Sequence, residues 1–254
     1  MEFLKKRQLS VALFLFLSGG VYSHEACKAQ GEFEQSRVKT VIDGDTLHLS
    51  DGRKVRLVGI NTPELDHQNG QHDAYAVAAT KALESLAGDA VLYQPARDSR
   101  DRYGRHLYYL FDQNGVSISS QLLSLGLGYR VAIPPNLKYQ TCFQYAERQA
   151  RQAKKGVWDK VPEWQPKGGF TISTFTITSV TRNRGGWWLE TERDLVINIP
   201  FKLSEYWPAQ KVYYLEGKTV EARGWQHFRK SRNPDYKSWY LSVKHPNDLQ
   251  LLHK

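Results

Sequence analysis

The stretch Val41-Ile42-Asp43-Gly44-Asp45-Thr46 sets two carboxylates on a tight turn between extended segments, with Gly44 relieving the steric limits on the backbone. Arg37 to Ile42 alternates into this turn and Thr46 to Leu49 continues extended. Ser50-Asp51-Gly52 then signals a hairpin, with Lys54 to Ile60 as the returning strand. Residues 73–87 carry Ala74, Val77, Ala78, Ala82 and Leu86 at near-helical spacing. Val91 to Gln94 and Leu107 to Phe111 read as two more strands flanking a charged loop, and helices are expected at about 117–126 and 140–155. A meander of strands followed by helices indicates a small barrel or an α+β domain.

Chemistry concentrates in the same region. Arg56 lies on the return strand, followed by Asn61-Thr62-Pro63-Glu64, in which Pro63 holds Thr62 extended and stiffens the segment presenting Glu64. Asp101-Arg102-Tyr103-Gly104-Arg105 places two guanidinium groups and an aromatic ring on one loop. Taken singly, the carboxylates could be turn and cap residues and the arginines a solvated face. Together they supply oxygen ligands for a hard cation, a carboxylate base and bidentate anion clamps. Those are the parts needed to hydrolyse a phosphodiester. Asp66, His67, His72 and Asp73 could suggest a transition-metal site, but no single rigid element holds them, and a solvated loop is the better reading.

The order and spacing of these four motifs, from about residue 36 to 158, resemble the staphylococcal nuclease, or thermonuclease, family. The resemblance implies an OB-fold barrel with three helices, and a calcium-dependent endonuclease that acts on DNA and RNA and leaves 3′-phosphate ends. It implies Ca²⁺ held by the Asp45 carboxylate and the Thr62 carbonyl, and Glu64 as general base on the attacking water. Arg56 and Arg105 would bind the phosphate and stabilise its developing charge, and Arg102 and Tyr103 would contact the terminal phosphate of the substrate. Two departures stand out. Asn61, a neutral oxygen donor, occupies the position of the family's second metal carboxylate, and the family's pair of substrate-flanking tyrosines is missing from Tyr129-Arg130-Val131-Ala132-Ile133-Pro134-Pro135. They keep a second reading open: a nucleic-acid- or protein-binding module of the same fold with little or no turnover.

Outside that region the chain changes character. All seven Trp lie at 158 or later, and Pro162 to Gly169 reads as a boundary, so the expected organisation is a nuclease-like domain at 24–160, a linker at 161–169 and a smaller β-rich domain at 170–254. The strands expected there are Phe170 to Val180, Trp187 to Glu190, Leu195 to Ile199, Thr219 to Trp225 and Ser238 to Val243, a pattern faintly suggestive of a second OB-like barrel. Trp225-Gln226-His227-Phe228-Arg229-Lys230-Ser231-Arg232, with Tyr236 and Trp239, interleaves rings and cations. A platform for single-stranded nucleic acid uses that combination, but rings filling a small β core beside an exposed basic hairpin would give the same pattern, and the core reading is slightly preferred.

The 254 residues carry 35 Lys+Arg against 26 Asp+Glu, a net charge of +9 that points towards polyanionic partners. With 41% hydrophobic and 24% charged residues, disordered, collagen-like and polytopic membrane classes are excluded. Lys5, Lys6 and Arg7 precede the apolar run Leu9 to Leu17 and a small-residue segment ending at Ser23, the plan of a secretory signal over 1–23, with an uncleaved anchor as the alternative. Export to the periplasm or the medium would let Cys27 and Cys142 pair, since they are the only two cysteines; two separate thiols are the alternative.

Overall fold

The alternation on either side of Asp43-Gly44-Asp45 becomes two antiparallel strands, β1 (Glu34–Asp43) and β2 (Thr46–Leu49). They belong to a computed structural model that describes residues 27–66, 68–160, 163–230, 233 and 236–252. The expected signal segment at 1–23, His67, the first two residues of the linker, and Ser231 and Arg232 lie outside the described residues. The Ser50–Gly52 turn returns the chain as β3 (Lys54–Leu57), paired antiparallel with β2.

The expected strand to Ile60 is interrupted by Gly59, which has φ +84° and sits so close under Phe143 that a Cβ would lie 2.3 Å from the ring. Past this turn, β4 (Ile60–Asn61) leaves the barrel and pairs with β7 (Tyr129–Arg130) instead. After α1 (Ala76–Ala87) the barrel resumes with β5 (Ala90–Arg100) and β6 (His106–Phe111). The first half of β1 pairs with β5 and its second half with β2, and register shifts at Val38/Thr40 and Val41/Asp43 supply the bend. β6 runs parallel to β3 and closes the ring in the order β1-β2-β3-β6-β5. Leu47, Leu49, Val55, Leu57, Val91, Leu110 and Phe111 fill it. α2 (Ile118–Ser124) and α3 (Gln140–Gln152) pack on each other, and the Cys27–Cys142 disulfide ties the segment preceding β1 to α3.

The second barrel repeats this plan. β8 (Gly169–Asn183), β9 (Gly186–Thr191) and β10 (Leu195–Pro200) form a meander, α4 (Ala209–Tyr213) follows, and β11 (Thr219–Phe228) and β12 (Trp239–Ser242) complete the ring. β12 lies parallel to β10 and antiparallel to β11, and β13 (Leu249–Leu251) adds to the free side of β11. In both rings the third and fifth strands are parallel and a helix separates the third from the fourth: two five-stranded OB-type barrels in tandem. Phe175, Ile177, Trp187, Leu189, Ile197, Val220 and Leu241 form the second core.

A buried ionic network joins the two barrels. Arg223 on β11 reaches Glu147 on α3 at 2.6 Å and Glu221 at 2.9 Å, and Arg151 on α3 also pairs with Glu221. Arg130 on β7 pairs with Asp248 of the second barrel at 3.3 Å, and Asp248 accepts from the Ala132 amide at 2.9 Å. Glu147 accepts from the Arg130 amide at 2.8 Å. Every charge in the cluster therefore has an opposite partner, the condition under which buried ions are tolerated. Burial alone would lower the Arg223 guanidinium, but Glu147 and Glu221 hold it firmly protonated. Ala150, Val157, Trp158 and Ile172 add an apolar patch beside the network.

Candidate active site

At the β1–β2 turn, Asp43 Oδ1 accepts the Asp45 amide at 2.9 Å, an Asx-type turn that fixes both carboxylates on one corner of the barrel. Gly44 has no room for a side chain: a Cβ would lie 2.5 Å from Ala79 Cβ and 2.7 Å from Thr62 Oγ1. The turn consequently presses against the Asn61–Glu64 segment. Asp45 is buried, and its Oδ2 accepts the Thr62 amide at 2.9 Å and pairs with Arg56 Nη2 at 2.9 Å. Thr46 donates to the other oxygen at 3.1 Å.

Arg56 reaches this corner because β3 registers it opposite Thr46. Its Nη2 also donates to Asn61 Oδ1 at 3.1 Å, and its Nη1 to the carbonyls of Leu57 and Ile60 at 2.7 and 2.9 Å. These four contacts fix the plane of the guanidinium. Arg105 arrives from the β5–β6 loop, its Nε held by Asp101 at 2.7 Å and its Nη1 donating to Thr46 Oγ1 at 3.3 Å. Burial would raise the Asp101 carboxyl, but its bonds to Arg105 hold it below the usual range. Arg102 donates to the Tyr103 hydroxyl at 2.6 Å and stacks on its ring, which also faces Arg105 at 5.6 Å. Arg102 and Tyr103 thus form an exposed rim outside the buried corner.

Glu64 stands beside the corner. Its backbone is tied to Asp73 by reciprocal bonds of 3.1 Å, while its side-chain carboxylate accepts no hydrogen bond among the described residues. The Glu64 carboxyl is raised, by partial burial first and then by the charges of Asp45 and Asp43. Asp43 is raised to about 6, again by burial first and then by Asp45. Asp43 shares this corner, although the sequence names Asp45 and not Asp43 as a ligand; its place two residues before Asp45, across a glycine, is the available signal.

Asp45, Arg56, Asn61, Thr62 and Arg105 therefore meet through hydrogen bonds or ion pairs, with Asp43 and Glu64 adjoining. The available donors are carboxylate, amide and carbonyl oxygens, the set a hard cation takes. Burial first and the neighbouring carboxylates second raise Asp43 and Glu64, and such a cation would neutralise that crowded charge. Among the described residues no group of three His, Cys, Asp or Glu side chains is arranged to hold a metal. Tyr129 is no substitute for the missing tyrosines: its ring packs between Trp158 and Phe170 at 5.2 and 5.4 Å, inside the junction of the barrels.

A family model described as "Staphylococcal nuclease homologue" matches residues 54–160. The chain is 30% identical over 155 residues to "Thermonuclease" of Staphylococcus intermedius, an alignment covering 59% of this chain and 90% of that protein. The chain belongs to the staphylococcal nuclease family. "Thermonuclease" of Staphylococcus hyicus is 32% identical over 126 residues, 48% of this chain and 74% of that protein. "Endonuclease YncB" of Bacillus subtilis is 34% identical over 140 residues, 52% of this chain and 65% of that protein. The model match starts at Lys54, so it includes Arg56, Asn61, Thr62, Glu64 and Arg105 and leaves out the Asp43–Asp45 turn. The second barrel lies wholly beyond it.

Proposed function

We propose that the chain is an exported, Ca²⁺-dependent nuclease that hydrolyses phosphodiester bonds of DNA, RNA or both. One observation carries this reading: Asp45, Arg56 and Arg105 converge on a single barrel corner, with the free carboxylate of Glu64 beside them. Asp45, Asn61 and the Thr62 carbonyl would hold the ion, with Asp43 adding charge behind them. Bound there, Ca²⁺ would polarise the phosphate and offset its charge. Glu64 accepts a proton from the attacking water, whose oxygen bonds to phosphorus as the bond to the leaving oxygen breaks. Arg56 and Arg105 donate to the non-bridging oxygens, and because hydrogen bonds already hold both guanidiniums, little reorganisation opposes the charge that develops. Arg102 and Tyr103 contact a neighbouring phosphate from the rim.

Export is supported by the basic-then-apolar leader and by the Cys27–Cys142 disulfide, which suits an oxidising compartment. Among the described residues no helix is long and apolar enough to cross a membrane. Purified protein is incubated with single-stranded and duplex DNA and with RNA, in Ca²⁺ or in chelator. Cleavage that needs Ca²⁺ and disappears in Glu64→Ala supports the nuclease; no cleavage, or cleavage untouched by that substitution, refutes it. The neutral Asn61 and the absent tyrosine pair favour the second reading, a binding module with little turnover. That module would bind the same substrates in a salt-sensitive way and leave them intact.

A further inference from the structure

The second barrel lies outside the nuclease match, and its rings are not all used in its core. Trp187 and Trp207 are buried, but Phe201, Tyr213, Phe228 and Tyr236 are each about half exposed or more (48, 47, 62 and 58%). These rings stand with basic side chains around two loops of the ring of strands: the β8–β9 hairpin, which joins its first and second strands, and the β11–β12 loop, which joins its fourth and fifth. In an OB barrel those loops flank the ligand-facing strands.

Two clusters occupy this end. In the first, Arg182 stacks on Trp187 at 4.9 Å and reaches the Phe201 ring at 5.5 Å. A groove of about 590 Å³ here is lined by Arg182, Asn183, Arg184, Phe201 and Tyr213, with no carboxylate in its wall. The Arg184 guanidinium has no partner among the described residues. In the second, Arg229 lies against Trp188 at 5.6 Å and Tyr236 at 5.2 Å, its Nε anchored on the Lys237 carbonyl at 3.0 Å. Asn183 joins the clusters: its Oδ1 accepts both the Gly185 amide at 2.8 Å and Trp188 Nε1 at 2.9 Å, which fixes the indole edge against the hairpin. Burial first, and then the charges of Lys202 and Arg102, push the Lys244 ammonium down, against the opposing charge of Asp248.

We infer that this face of the second barrel is a binding platform for single-stranded nucleic acid, separate from the catalytic corner. Exposed rings offer flat surfaces for unpaired bases, and guanidiniums beside them neutralise the phosphates between those bases. A duplex hides its base faces and cannot use the rings, so the surface selects single strands. An acid-free groove carrying an unpaired arginine is matched to an anion.

The test measures binding of fluorescein-labelled (dT)₂₀ to the full chain in chelator, by anisotropy, with two paired variants. Arg184→Glu with Tyr213→Ser changes only exposed positions of the first cluster, and Arg229→Glu with Tyr236→Ser changes the second. Each pair is expected to weaken binding about tenfold or more and to flatten the dependence of log affinity on log salt by roughly 0.7 for each phosphate no longer neutralised. Circular dichroism melts of the first pair should match the wild type. Oligonucleotide binding within twofold of wild type in both pairs overturns the inference. So does an equal loss for duplex DNA of the same length, or binding of this face to anionic phospholipid vesicles with none to (dT)₂₀. The outcome is independent of catalysis: a chain that cleaves with Ca²⁺ but binds (dT)₂₀ equally in all forms retains the nuclease and loses the platform, and the reverse result does the opposite.

Discussion

Replacing Glu147 by Ala should loosen the joint between the barrels and, through it, the corner at Asp45 and Arg56. Glu147 is 3% exposed, and its Oε1 accepts both the Arg130 amide at 2.8 Å and Arg223 Nη1 at 2.6 Å. Without it, two buried guanidiniums face each other, Arg130 keeping Asp248 and Arg223 keeping Glu221. Breaking one partner out of a buried ion pair costs about 3–5 kcal/mol, and the orphaned Arg130 amide adds to that. In a chain of this size each kcal/mol moves Tm by about 2–4 °C, so a loss of about 4 kcal/mol should lower it by about 8–16 °C. Differential scanning calorimetry should show one transition for the wild type and two, for barrels that melt separately, in Glu147→Ala. Glu147→Gln keeps the acceptor for the Arg130 amide and should fall between them. The calcium requirement for cleavage should rise as well, because Arg130 sits on β7, the partner of β4, which carries Asn61. A Tm within about 3 °C of wild type, with a single transition, would refute this account of the joint.

Gly44→Ala should lower stability by about 1–3 kcal/mol, since its Cβ would overlap Ala79 and Thr62, and should raise the calcium needed for half-maximal cleavage; melting and calcium titration check the two effects. Asp101→Asn removes the charge that holds Arg105, and losing one charge-assisted bond of about 1.5–3 kcal/mol should reduce kcat roughly tenfold or more and lower Tm by about 3–12 °C. A KM change without a kcat change would contradict that positioning role. Cys27→Ser with Cys142→Ser opens a link spanning 115 residues and should cost about 4 kcal/mol, read as a lower urea midpoint than that of the oxidised wild type.

The β2–β3 hairpin and the three helices of the first barrel were legible because periodicity and the Ser50–Gly52 turn are local signals. The second barrel's strands were equally visible, but its OB order depends on the parallel β10–β12 pairing, which no local pattern announces. Two-residue strands such as β4 and β7 are too short to show alternation, so the pairing that supports Asn61 was invisible. The five-residue α4 escaped for the same reason. Arg130, Glu147 and Arg223 look like solvated charges in sequence, and only the docking of the barrels makes them buried partners, with Arg223 and Glu147 76 residues apart. The core reading slightly preferred for the rings of 225–239 holds in part: Trp225 and Trp239 are half-buried, Trp239 against the second core, whereas Phe228 and Tyr236 face outwards. Asp45, Arg56, Asn61, Thr62, Glu64 and Arg105 could be singled out because each motif constrains its neighbours, but their meeting through Asp45 and Thr46 required the fold.

The most direct test of the nuclease account is a calcium titration of DNA cleavage by the wild type and by Asn61→Asp. Cleavage should saturate with Ca²⁺ in both, with a lower half-saturating concentration in Asn61→Asp because a carboxylate replaces the neutral amide at the corner. A folded protein that binds DNA but cleaves it in neither form at any calcium concentration would contradict the nuclease account.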